Sequence, residues 1–396
     1  MARRVKATIN PDVLEWARTS ASYSRPAAAE KMSIEEDVLA AWEAGDDQPS
    51  ISQLRKLAAL YKRPLAVLYL PERPLTFQAI HDFRRLPESG SRAYSPELAY
   101  EIRVAQQRRE LALELAEEGD DQDFPAFTLT TTLDAPVEEV GRQIRDALSV
   151  TFDVQTKWRD TNVAFMAWRS RIEELGVLVF QTTRVESKEA SGFAYWAPKL
   201  PLIAVNRKDA TGRRLFSLLH ELAHLMIHQS GVSDLDDGRR QVSDQRVEVF
   251  CNKVAAAALM PRLQFLSQSI IGNAPSGRRE WLDEEIGALA KTFGVSREAV
   301  VRRLLTLERP TEAFYRQKRA QYLQEFAASQ ARKRQQENKK SIPRNMPLET
   351  VSSIGRPLIR LLLSQYHSRQ LSLSEVSGFL GVKVRHLSGI EDRLGR

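Results

Sequence analysis

Cysteine is nearly absent from this sequence, with Cys251 alone among 396 residues. One thiol cannot close an intrachain disulfide, which suits a reducing compartment. It also excludes zinc fingers and iron–sulfur clusters built from several thiolates of one chain. Long apolar runs are missing too, since nothing approaches the roughly 18 residues that a membrane span needs. The basic start, Arg3, Arg4 and Lys6, leads into Thr8–Ile9–Asn10–Pro11 rather than an apolar stretch. Neither secretion nor membrane insertion is expected, and the expected location is cytoplasmic. Hydrophobic residues at 42% and charged residues at 28% exclude a disordered chain, and 396 residues exceed one ordinary core, so two or three domains are expected.

The net charge of +7 is unevenly placed. Val301–Asn345 carries 12 Lys/Arg against 4 Glu, a surplus of 8 that exceeds the whole chain's. Such a run serves nucleic acids in some proteins, but a solvated helix face is the simpler reading.

Helix signals dominate the first seventy residues. Pro11–Ser20 has Val13, Leu14, Trp16 and Ala17 at helical spacing, and Arg25–Lys31 is a second short helix. Ser33 with Glu36 is expected to cap a third helix that Gly45 ends, and Ser52–Tyr61 makes a fourth. Val38, Leu39 and Trp42 are expected to face inward. This stretch resembles the Cro/repressor-type (XRE-like) helix-turn-helix domain, notably in Ala40–Ala41–Trp42–Glu43–Ala44–Gly45 and Leu54–Arg55–Lys56–Leu57–Ala58. The presumed recognition helix, Ser33–Gly45, nevertheless holds Glu35, Glu36, Asp37 and Glu43 and no cation. Phosphates repel such a helix, and arginine-to-guanine contacts are impossible from it. Protein contact is favoured over sequence readout, with DNA binding weak or non-specific.

Pro71, Pro74 and the polar Pro87–Arg92 cluster mark a boundary, followed by a charged helix at Leu98–Glu118 and an acidic turn at Gly119–Asp123. Val137–Leu148, Asn162–Leu175, Thr211–Gln229 and Arg246–Met260 read as helices; Gly176–Gln181, Gly192–Trp196 and Leu202–Asn206 read as strands. Two helical hairpins, Ile286–Leu307 and Glu375–Leu394, read as structural units. The expected fold is α+β and mostly helical, with a small sheet in its middle. Its expected parts are a helix-turn-helix bundle at 1–75, a helical linker at 76–135 and a central domain at 136–310. A basic helical segment at 311–345 and a C-terminal helical unit at 346–396 follow.

His220–Glu221–Leu222–Ala223–His224 is the informative pentad. Residues four apart share a helix face, so both imidazoles can reach one metal ion with Glu221 at the edge of the same site. With six histidines and 51 acidic residues available, chance supplies such a pentad roughly 0.01 times. Zinc accepts neutral imidazole, and three protein ligands leave a fourth position for water. The metzincin spacing fails, because Ile227 and Ser230 stand where glycine and histidine are required. His228 lies two turns from His220, too far for a regular helix to wrap all three histidines around one ion. Glu248, 24 residues past His224 on the next helix, is the better third ligand. Asn252 shares its face and can hold an imidazole from behind, as His228 can. Cys251 reads as a small buried apolar residue, and Tyr195 and His228 are candidates to stabilise an oxyanion.

With His228, Glu248–Val249–Phe250–Cys251–Asn252 and Ala258–Leu259–Met260–Pro261, the pentad resembles the ImmA/IrrE family of metallo-endopeptidases. The likeness covers roughly residues 140–310, and an XRE-like N-terminus is a usual companion. It implies a zincin-like domain that cuts a helix-turn-helix transcriptional repressor in phage, mobile-element or stress regulation. Zn2+ would be held by His220, His224 and Glu248, with Glu221 as general base. Cys251 and Phe250 depart from the alanine and the second acidic residue that many members carry, which alters the wall of the site and removes no ligand. Leu202–Asn206 is expected to be the sheet edge that a substrate peptide pairs with. Two rival readings are a DNA-binding regulator whose zinc is structural or sensory, and a toxin–antitoxin or phage-immunity component acting by complex formation.

Overall fold

The computed structural model describes residues 6–74, 81–82, 94–118, 124–158, 160–233, 242–275, 277–337 and 345–395. The polar Pro87–Arg92 cluster and the acidic Gly119–Asp123 turn lie outside them. Packing divides the chain into two units, residues 1–79 with 87–107 and residues 80–86 with 108–396.

Helix caps explain most of the first unit. Asn10 accepts from the Asp12 amide ahead of α1 (Pro11–Ser20), and Ser24 accepts from the Ala27 amide ahead of α2 (Arg25–Met32). Ser33 does not cap α3 (Glu36–Ala44), contrary to expectation; Glu35 precedes that helix with no side-chain cap. Ser33 is instead left-handed, at φ 54°, and ends α2 as the Ile34 amide turns back to the Ala29 carbonyl. Gly45 ends α3 as expected, and Ser50 with Gln53 forms a capping box on α4 (Ile51–Tyr61). Leu14, Leu39, Trp42, Leu54 and Tyr61 fill the core. Val38, expected inside, is 37% exposed, because it sits one residue off the stripe of Leu39 and Trp42.

Glu43 is turned inward. Arg18 donates to both its oxygens, at 2.6 and 3.0 Å, and Arg25 Nε donates to Oε2 at 2.9 Å. One of the four acids of Ser33–Gly45 thus ties α1, α2 and α3 together instead of facing a partner.

In the second unit, β1 (His81–Asp82) and part of α5 (Pro96–Glu118) precede α6 (Val137–Ala147), α7 (Phe152–Thr156) and α8 (Thr161–Glu174). Then come β2 (Leu178–Thr182), β3 (Gly192–Tyr195), β4 (Leu202–Asn206), α9 (Thr211–Met226), β5 (Gly231–Ser233) and α10 (Val242–Leu259). The sheet runs β1-β5-β3-β4-β2, with β3 antiparallel to both its neighbours and β2 parallel to β4. This corrects the expected substrate edge. Leu202–Asn206 is bonded to β2 on one side and β3 on the other, so it has no free edge to offer. Its unbroken apolar run is that of a strand buried on both faces.

Short α11 (Arg262–Leu266) and α12 (Ser269–Gly272) follow, then the hairpin of α13 (Asp283–Phe293) and α14 (Arg297–Thr306), joined through left-handed Gly294. The basic run is only partly a solvated face. Arg302 and Arg303 of α14 are buried, and Arg303 pairs with Glu138 at 2.8 Å. On α15 (Glu312–Glu337), Lys318 pairs with Asp283 and Arg319 with Glu298. Lys339, Lys340 and Arg344 lie outside the described residues. The C-terminal helices, α16 (Met346–Ile354), α17 (Arg356–His367), α18 (Leu373–Leu380) and α19 (Leu387–Leu394), belong to this second unit. Buried Arg169 donates to the carbonyls of Val179 and Ser352, and Gln181 donates to Ser352 at 2.8 Å, which fixes α16 to β2.

Glu43→Ala is expected to destabilise the first unit by about 3 kcal/mol, because buried Arg18 loses its charge partner. Urea unfolding of the full chain, followed by Trp fluorescence, checks this; an unchanged transition would show that the clamp contributes nothing.

Candidate metal centre

Helix α9 is buried continuously from Leu215 to its end at Met226. The four-residue spacing stacks His220 and His224 on one face, with their Nε2 atoms 3.1 Å apart. The two ring nitrogens thus converge on a common point. Glu248 enters from α10 and meets both, with Oε2 3.4 Å from His220 Nε2 and Oε1 3.1 Å from His224 Nε2. All three side chains are buried, and their ligand atoms lie within 4.8 Å of one another. Among the described residues this is the one cluster of metal-ligating groups.

Backbone contact places Glu248. A Cβ on Gly141 of α6 would lie 2.8 Å from the Ala257 Cβ and 2.9 Å from the Ala257 and Ala258 backbone, so α6 packs directly against the alanine run of α10. The far end of α10 is pinned as well. The carbonyls of Ala258, Leu259 and Met260, left without helical partners by Pro261, accept from buried Arg145, Gln155 and Arg303.

Electrostatics separates the two glutamates. Burial raises the Glu248 carboxyl, but His220 and His224 outweigh it and hold it well below the usual range. Burial pushes Glu221 well above that range and the Glu248 charge adds to this, with only the Ser233 hydroxyl opposing. Burial also lifts the Cys251 thiol, helped by both carboxylates, so Cys251 is an uncharged buried residue outside the ligand cluster.

The remaining candidates are scattered. Asn252 is buried one turn beyond Glu248 on α10. α9 stops at Met226, so His228 is not on it; it is exposed, left-handed at φ 56°, and its ring lies 4.6 Å from that of Trp196. Tyr195 ends β3, with Arg109 over its ring at 5.4 Å.

Two residues of the site escaped the sequence reading. Gly192 and Ser233 are cross-strand partners on β3 and β5. A Cβ at Gly192 would lie 3.0 Å from Glu221 Oε1 and 2.8 Å from the Ala204 carbonyl, so only glycine leaves room for the carboxylate. Ser233 is fully buried, with Oγ 3.4 Å from Glu248 Oε1 and 3.5 Å from His224 Nε2. Nothing local in the sequence marks either residue.

Two imidazoles and one carboxylate are the nitrogen and oxygen donors that zinc takes, and three protein ligands are the number found in catalytic sites. The buried Nδ1 of His220 has no hydrogen-bond partner, so neither tautomer is imposed and Nε2 is available as a lone-pair donor. The residues fit Zn2+, and with Glu221 between the histidines they form the active site of a zinc-dependent peptidase of the HExxH, glutamate-ligand type. Residues 172–305 match the IrrE N-terminal-like domain of the Peptidase_M78 family. A comparison with curated proteins finds no match.

Gly192→Ala is expected to push Glu221 out of register and to lower peptidase activity about 100-fold while zinc content stays unchanged. Activity alongside metal analysis of the purified variant checks this, and full activity would show that Glu221 tolerates the displacement.

Proposed function

We propose that this chain, which carries an IrrE N-terminal-like domain over residues 172–305, is a cytoplasmic zinc endopeptidase that cleaves a helix-turn-helix transcriptional repressor. The observation that carries the peptidase reading is the convergence of Glu248 with His220 and His224 beside Glu221. A purely structural zinc takes four protein ligands, whereas the cluster among the described residues holds three. None of the described helices is long and apolar enough to cross a membrane.

His220, His224 and Glu248 hold the metal in this reading. When bound there, zinc would supply Lewis acidity, lowering the pKa of a bound water toward about 7 and polarising the scissile carbonyl. Glu221 accepts the proton of the attacking water and delivers it to the leaving amine. Its burial suits that task, since a carboxylate raised above its ordinary range is a stronger base. Asn252 backs the ligands from the next turn of α10.

The helix-turn-helix unit recruits a protein in this reading. The exposed face of α3 presents Glu36, Asp37, Val38 and Ala44, an acidic and apolar surface without a cation. Such a face suits a basic or apolar protein surface better than phosphates.

Glu221→Gln is expected to keep one zinc per chain and to lose cleavage by about 10²–10⁴-fold, while His224→Ala loses the metal itself. Metal analysis paired with mass-spectrometric detection of repressor fragments checks both, and equal metal loss in the two variants would contradict the division of roles. The full chain is expected to bind duplex DNA no tighter than about 10⁻⁴–10⁻⁶ M at physiological salt. A gel shift showing tight, sequence-selective binding would overturn the recruitment role.

A further inference from the structure

Ser233, whose hydroxyl also acts on Glu221, touches two of the three metal-ligating side chains, Glu248 and His224. It ends β5, and its place there is fixed by backbone pairing: it lies opposite Gly192, and its carbonyl accepts from the Ser191 amide at 2.9 Å. Its side chain is wholly buried, where a hydroxyl needs a partner. Oγ lies 3.4 Å from Glu248 Oε1 and 3.5 Å from His224 Nε2, the two atoms that face each other at 3.1 Å. Ser233 therefore closes a triangle with one imidazole and the carboxylate.

Glu248 differs from the histidines in what orients it. His220 and His224 belong to one helix, and their spacing sets their relation. Glu248 comes from a different helix on a longer side chain, and rotation about its terminal bond is soft. An outside donor is needed to choose the carboxylate plane. We propose that Ser233 is a positioning residue for the third ligand: its hydroxyl donates to Glu248 Oε1 and turns the carboxylate so that one oxygen faces each imidazole. The sheet, through β5, thereby sets the angle at which α10 offers its ligand to α9. This inference rests on the zinc-peptidase reading and deepens it.

The test uses the full chain stripped of metal, with zinc affinity measured by competition against a chromogenic chelator and coordination read from the visible spectrum of the Co2+ form. Ser233→Ala is expected to weaken zinc about 10-fold or more and to alter the Co2+ spectrum. Ser233→Thr and Ser233→Val have the same shape and differ in the hydroxyl, so Thr should bind like the parent and Val like Ala. Equal melting temperatures of the metal-free Thr and Val forms would separate this from a packing effect. Equal zinc affinity and identical Co2+ spectra for Thr and Val would overturn the assignment. A parent protein that binds no zinc would instead overturn the peptidase reading, and this inference with it.

Discussion

The burial of Glu248 against two imidazoles is the constraint on which this structure depends. Taking a carboxylate out of water costs several kcal/mol unless charge or hydrogen bonds replace the lost hydration. Within the core, His220 and His224 face it at 3.4 and 3.1 Å, and a divalent cation held at their convergence would supply the compensating charge. The ligands sit on regular helices that pack tightly, because Gly141 lets α6 touch the alanine run of α10 and three buried side chains hold the end of α10. Rigid placement of this kind keeps a metal site at one geometry.

The same burial gives two glutamates opposite characters. Glu248, between imidazoles, is held charged; Glu221, in a dry pocket beside another carboxylate, is pushed toward protonation. Environments that drive two like groups apart are how one site obtains both a ligand and a base. Gly192 matters for that separation because the missing side chain leaves Glu221 its space beneath the sheet.

Some of the charge elsewhere is used within the fold. Glu43 holds Arg18 and Arg25, and Arg303, counted in the basic run, is buried against the Met260 carbonyl and Glu138. A tally of charges along the chain therefore overstates what a partner meets.

The sequence by itself determined the local features. The pentad on one helix face, Glu248 on the next helix, the helix end at Gly45 and a strand at Leu202–Asn206 all follow from residues within a few positions of one another, where spacing and stereochemistry act directly. Tertiary structure decided the rest. An apolar run says that a strand is buried but not which strands flank it, so β4 turned out interior and not an edge. Ser33 can cap one helix or end another, and only the path of the chain toward Ile34 chose. Gly192 and Ser233 enter the site through cross-strand pairing with each other and contact with α9 and α10. Sheet register brings together residues distant in the chain, and no periodicity along the chain encodes that proximity.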